Sequence, residues 1–171
     1  PLTRRQLIGA AVSGTVLAAS SGAVVSTFIS STSRRDPWRH LREKLRGTLL
    51  TPDDSPYWAL SASSNGRFLP VRPHAVAVID DAEDAATCIR WCRENGVTFS
   101  VRGGGHSFAG YSSSTGLVIS TSRLRRHDIN EIDGRLVAGS GLTNGDLVRL
   151  LPQGGRGQWV LPGGSCLSVG L

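Results

Sequence analysis

Val97-Thr98-Phe99-Ser100-Val101-Arg102-Gly103-Gly104-Gly105-His106-Ser107-Phe108-Ala109-Gly110-Tyr111 reads as a short strand, Val97 to Val101, running straight into a glycine-rich loop, Arg102 to Tyr111. Three successive glycines allow φ > 0 and let neighbouring N–H groups point at one spot, which makes an anion nest. A diphosphate needs many donors and little side-chain bulk, so the loop is a candidate diphosphate cradle. Upstream, Ala75 to Ile79 is an apolar run, and Asp80 or Asp81 caps a helix from Ala82 to Asn95. Gly96 closes that helix and hands the chain to the strand.

The rest of the chain carries the same mixture of elements. Asp36-Pro37-Trp38 opens a helix reaching about Arg46, with Leu41 and Leu45 spaced i, i+4. Thr51 to Arg67 reads as an extended loop. Leu117 to Ser120 and Leu136 to Ala138 are further strands, and Thr143 or Asn144 caps a helix to Leu151. Leu161 to Gly170 is a second glycine-rich loop. Strand–helix–strand order with additional short strands predicts an α+β fold with an α/β-like start.

Three better-known motifs compete for the first loop. A dinucleotide fingerprint begun at Gly103 and Gly105 meets Phe108 where its last glycine belongs. A phosphate loop ending in Gly-Lys is excluded, because no such pair exists and Lys44 is the only lysine. Gly105-His106-Ser107-Phe108-Ala109 approximates a serine-hydrolase elbow at Ser107. An elbow must feed a helix, whereas Gly110 to Gly116 reads as loop, and the next histidine, His127, comes too soon for that triad order.

The 171 residues carry a net charge of +6, almost all of it from arginine. Those arginines are scattered and not interleaved with aromatics, which argues against a nucleic-acid groove. Cys88 and Cys92 lie i, i+4 on a helix and read as core filling. His40, His74 and His127 show no ligand spacing, so no metal site is expected. The four tryptophans, Trp38, Trp58, Trp91 and Trp159, read as packing residues.

Residues 1–33 are set apart as an export signal and linker. Thr3-Arg4-Arg5-Gln6-Leu7-Ile8 precedes a weakly apolar stretch to about Ile29, and no acidic residue occurs before Asp36. That layout matches a bacterial twin-arginine signal, with Ser21-Gly22-Ala23 as a small-residue cleavage site. The alternative is an N-terminal membrane anchor, since the stretch is long enough to span. Residues 34–66 then form an N-terminal helix and loop, and 67–171 the main domain.

The pattern Arg102-Gly103-Gly104-Gly105-His106-Ser107-Phe108-Ala109-Gly110 resembles the R-x-G-G-H-S-[YF]-x-G loop of vanillyl-alcohol-oxidase-type (PCMH-type) FAD-binding domains, and within them of berberine-bridge-enzyme-like oxidases. Val71-Arg72-Pro73, Gly116-Leu117-Val118-Ile119, Ala138-Gly139-Ser140-Gly141, Gly145-Asp146-Leu147 and Pro162-Gly163-Gly164-Ser165-Cys166-Leu167-Ser168-Val169-Gly170 extend the similarity in the family's order. Ser120 departs from it, standing where many relatives carry Asp. The resemblance implies that Gly103, Gly104, Gly105 and Ser107 cradle the FAD pyrophosphate. It further implies that His106 bonds the flavin 8α-methyl carbon and Cys166 bonds flavin C6. Arg102, Gly110, Tyr111, Gly163, Val169 and Gly170 are carried over as cofactor-contacting positions. Imidazole nitrogen and thiolate are nucleophiles that suit an electron-poor isoalloxazine.

The expected activity is that of an exported FAD-dependent oxidase acting on a small organic substrate, with O₂ as acceptor. A related flavin dehydrogenase lacking the cysteinyl link is the alternative. The resemblance places the family's substrate domain and catalytic base beyond the cysteine loop, so no base is assigned and the sequence is expected to be a fragment.

Overall fold

The computed structural model describes residues 36–151 and 159–171. The export signal expected over 1–33 lies outside them.

Four strands form the main sheet: β1 (Thr48–Leu50), β2 (Ala75–Val78), β3 (Phe99–Arg102) and β4 (Leu117–Ser120), in the order β1-β2-β4-β3. β1 runs antiparallel to β2, whereas β2 and β3 both pair parallel with β4. The expected strand–helix–strand unit is present, with β4 inserted between its two strands. Helix α1 (Arg39–Lys44) precedes β1, a short helix α2 (Tyr57–Ser61) and a 3₁₀ turn (Gly66–Phe68) follow it, and α3 (Ala82–Asn95) joins β2 to β3. A hairpin of β5 (His127–Asn130) and β6 (Arg135–Ala138) and helix α4 (Asn144–Leu150) complete the described elements.

β2 and β4 are buried along their whole length, as expected for parallel strands covered on both faces. Alternate residues divide between two cores. Ala75, Ala77, Leu117 and Ile119 pack with Trp38, Leu41, Cys88, Trp91 and Cys92 from α1 and α3. Val76, Val78 and Val118 pack with Leu50 and Tyr57 on the opposite face. Trp38 and Trp91 stack at 4.8 Å between ring centroids. Trp58 departs from the packing expected of it: the residue is 57% exposed, with the Arg72 guanidinium 5.5 Å from its ring centroid.

Helix α3 has the boundaries its sequence signals predict. Asp81 accepts from the Asp84 N–H at one end, and Gly96 adopts φ +62° at the other. Asp84 is only 2% exposed, yet its carboxylate is satisfied by backbone donors: Arg46 N at 2.9 Å, Gly47 N at 2.9 Å and Asp80 N at 3.0 Å. These bonds fasten the start of β1 to the first turn of α3.

Two readings are corrected. The segment Thr51 to Arg67 is not simply an extended loop, since it holds α2 and the 3₁₀ turn. The reason is tertiary: the Tyr57 hydroxyl donates to Pro73 O at 2.6 Å, and Arg102 donates to carbonyls at the end of α2. The first helix is shorter than expected, because Asp36 accepts from Trp38 N and Leu45 is already extended.

Candidate functional site

β3 delivers Arg102 to the start of the glycine loop, where its side chain turns inward and is 5% exposed. Its guanidinium donates to Ser112 O at 2.9 Å, Leu60 O at 2.8 Å and Ala62 O at 3.1 Å. Burial depresses the pKa of the group below its ordinary value. The side chain therefore ties the two ends of the loop to α2.

The glycines serve two different purposes. Within this loop, only Gly105 (φ +74°) and Gly110 (φ +78°) occupy the left-handed region, so the expected role of φ > 0 does not extend to Gly103 and Gly104. At Gly104 the requirement is closeness: an added Cβ would overlap the backbone of Ser168, Val169 and Gly170. At Gly110 it would also strike the Phe68 ring. Ser107 closes the loop, its carbonyl accepting from Gly110 N at 3.3 Å and its hydroxyl from Tyr111 N at 3.1 Å. Among the described residues, no acceptor is seated on the N–H groups of Gly103 through Ser107. A row of unengaged donors, the first three of them on glycines, is what an anion nest requires.

The second loop is fixed by the start of α4. Thr143 and Asp146 form a reciprocal capping box. The Asp146 carboxyl is held well below the usual range by the Thr143 N–H, then by the Thr143 hydroxyl, with Arg125 and Arg149 adding to it. The next two amides reach the loop: Asn144 N donates to Val169 O at 2.9 Å and Gly145 N to Leu167 O at 2.8 Å. The Asn144 side-chain amide donates to Gly164 O and Cys166 O. Gly170 bridges Thr143, which brings the loop against Gly104.

Where the loops meet, a cleft of about 560 Å³ is lined by Ser64, Asn65, Gly66, His106, Phe108, Gly164, Ser165, Cys166 and Val169. It unites His106 and Cys166, the two nucleophiles singled out in sequence, and adds Val169. His106 Nε2 shares a hydrogen bond of 2.7 Å with Ser168 Oγ. Gly163 lies in an adjoining apolar groove beside Asn144, Leu147 and Trp159. Tyr111 is 83% exposed and does not line the cleft. Ser107 is followed by turns, without the helix an elbow needs.

Sequence reasoning missed Ser64, Asn65 and Gly66. Their segment crosses the glycine loop, with Ser64 N donating to Gly105 O at 3.4 Å and Asn65 Nδ2 to Phe108 O at 3.4 Å. Asn-Gly marks a turn but gives no hint of what lies opposite. Ser168 was also missed, although it stands inside the quoted cysteine motif.

The donor set suits a flavin dinucleotide. Unengaged amides would hold a diphosphate, and an open, partly apolar cleft carries a histidine and an exposed cysteine. The sequence pattern of the FAD binding domain matches residues 73–170. The chain belongs to that family. This FAD-binding domain is 32% identical over 131 residues to the uncharacterized FAD-linked oxidoreductase YgaK of Bacillus subtilis, a match covering 76% of this chain and 28% of that protein. It is 35% identical over 106 residues to (R)-6-hydroxynicotine oxidase of Paenarthrobacter nicotinovorans, covering 61% of this chain and 23% of that one. In structure it is similar to BBE-like 1 of Physcomitrella patens, with a TM-score of 0.68, 24% identity, and coverage of 77% and 29% of the respective chains. The chain thus spans about a quarter of the length of the relatives it matches. The FAD-binding domain that the resemblance implied is present, and its α+β fold is shared with BBE-like 1.

Proposed function

We propose that the FAD-binding domain is the cofactor-holding part of an oxidase whose flavin is bonded to both His106 and Cys166. The observation that carries this reading is the shared cleft: two nucleophiles far apart in sequence line one cavity beside a nest of unengaged amides. When bound, FAD would supply the redox chemistry, accepting two electrons from substrate and passing them on. The chain's own contribution is to bind and orient. Gly103, Gly104, Gly105 and Ser107 offer backbone donors to the pyrophosphate. The 64–66 segment and Phe108 wall the cleft on one side, and the α4-pinned cysteine loop on the other.

Relatives include proteins named (R)-6-hydroxynicotine oxidase and glucooligosaccharide oxidase. We accordingly extend the reading to a small organic substrate, such as a sugar, alcohol or amine, with O₂ as acceptor. Export by the twin-arginine route is part of the same proposal and rests on Arg4, Arg5 and the apolar stretch after them.

The deciding experiment is acid denaturation of the full-length holoprotein. Yellow flavin should remain with the polypeptide, survive in each single variant His106→Ala and Cys166→Ala, and be lost from the double variant. A polypeptide that precipitates colourless, leaving all flavin in solution, would overturn the bicovalent reading.

A further inference from the structure

We propose that Ser168 is a positioning residue for His106: its hydroxyl engages Nε2 and leaves Nδ1 as the nitrogen that bonds the flavin. The inference rests on the reading of His106 as a covalent flavin site. Its own observation is the 2.7 Å hydrogen bond between His106 Nε2 and Ser168 Oγ, made across the two loops.

Ser168 is held firmly enough to direct a neighbour. The carbonyls on either side of it, Leu167 O and Val169 O, accept from Gly145 N and Asn144 N at the capped start of α4. Val169 N also donates to Cys166 O at 3.2 Å. On the other loop, Gly105 O is tied to Ser64 N, so the histidine backbone is restrained as well. An imidazole in a half-open cleft can present either nitrogen by rotating its ring. A hydroxyl held on Nε2 selects one orientation of the ring, and in the tautomer where it accepts Nε2–H the lone pair lies on Nδ1.

In the bond-forming step, Nδ1 forms a bond to the flavin 8α-methyl carbon, one C–H bond of that methyl breaks, and its proton leaves to solvent. Two electrons remain on the ring system. Dioxygen, the oxidant, removes them and takes two protons to become hydrogen peroxide. The second proton comes from the alkylated imidazolium at Nε2–H, the atom that Ser168 contacts.

The test uses full-length protein carrying Cys166→Ala, so that only the histidyl bond can form. Apoprotein is mixed with FAD, and covalent flavin is followed over time by fluorescence of the denatured polypeptide. Each value is divided by the flavin bound before denaturation. Ser168→Thr and Ser168→Val have matched shapes and differ in the hydroxyl. Thr is expected to keep the parent rate, while Val and Ser168→Ala slow incorporation about 5- to 10-fold, the scale of one lost hydrogen bond. Equal rates in all variants, or equal slowing in Thr and Val, would overturn the role given to Ser168. If the Cys166→Ala parent carries no covalent flavin, the histidyl reading itself has failed, and the Ser168 role falls with it.

Discussion

The guanidinium of Arg102 lies 2.8 Å from the carbonyl oxygen of Leu60, a contact joining the head of the glycine loop to the end of α2. The same group holds Ala62 O and Ser112 O, so one buried cation gathers three backbone segments. The residue that opens the cofactor motif thus acts by shaping the loop and the 64–66 wall of the cleft.

Arg102→Ala removes the donor from all three carbonyls at once. Hydrogen bonds to charged groups contribute about 1.5–3 kcal/mol each and are not additive, so a loss of about 3 kcal/mol is expected. Urea unfolding measures it. Arg102→Lys should recover only part, because an ammonium cannot reproduce the fork that reaches Leu60 and Ser112 together. Full stability in Arg102→Lys would contradict the clamp.

Gly104→Ala tests the contact between the two loops. The added methyl overlaps the backbone at 168–170, and overpacking of this kind costs about 1–3 kcal/mol. FAD affinity of the unlinked double variant His106→Ala/Cys166→Ala should fall about 10- to 100-fold when Gly104→Ala is added. Equilibrium titration of the apoprotein reads this directly. Unchanged affinity would mean the loops need not touch to hold the cofactor.

The three cysteines should separate by reactivity. Burial pushes the Cys88 thiol up to about 12 and the Cys92 thiol up to about 11, while Cys166 is exposed. At pH 8 a thiol reagent should modify native apoprotein once, at Cys166, and reach the other two only after denaturation. In holoprotein with a cysteinyl flavin, even that one site should be closed. Mass spectrometry of labelled peptides distinguishes these outcomes.

Acid should loosen the second loop through Asp146. Its folded pKa is lowered, so its stabilising contribution is complete above about pH 4, the unfolded carboxylate range, and is lost as pH falls toward the folded value. Asp146→Asn should lower stability at neutral pH and flatten this acid-side loss. Thr143→Ala, which removes the cap hydroxyl, should cost about 1 kcal/mol. Thermal unfolding from pH 3 to 7 supplies the comparison. Parallel pH profiles for the Asp146→Asn variant and wild type would argue against this role.

What could be read from the sequence was whatever the chain decides locally. Asp81 and Gly96 bound α3 because a cap and a left-handed glycine act within a few residues. The loop at 102–110 was legible because its spacing is itself the chemistry. β1, with three residues, was not: its pairing depends on Asp84 gripping Arg46 and Gly47 from nearly forty residues away. Helix α2 has no side-chain cap and is held by Tyr57 and Arg102 through long-range bonds. β5, short and largely polar, gains its strand character only by pairing with β6. Gly103 and Gly104 do not take the left-handed backbone that a glycine run suggests, and the backbone that Gly104 makes room for belongs to residues 168–170, more than sixty positions on.

The cleft that His106 and Cys166 both line has a mechanical consequence. A flavin bonded to both would be a cross-link, closing the intervening loop of about 60 residues much as a disulfide would. By chain entropy alone, such a closure removes about 4 kcal/mol of freedom from the unfolded state. The cofactor would then be a staple as well as a redox centre, and β4, the hairpin and α4 would all lie inside the ring it closes.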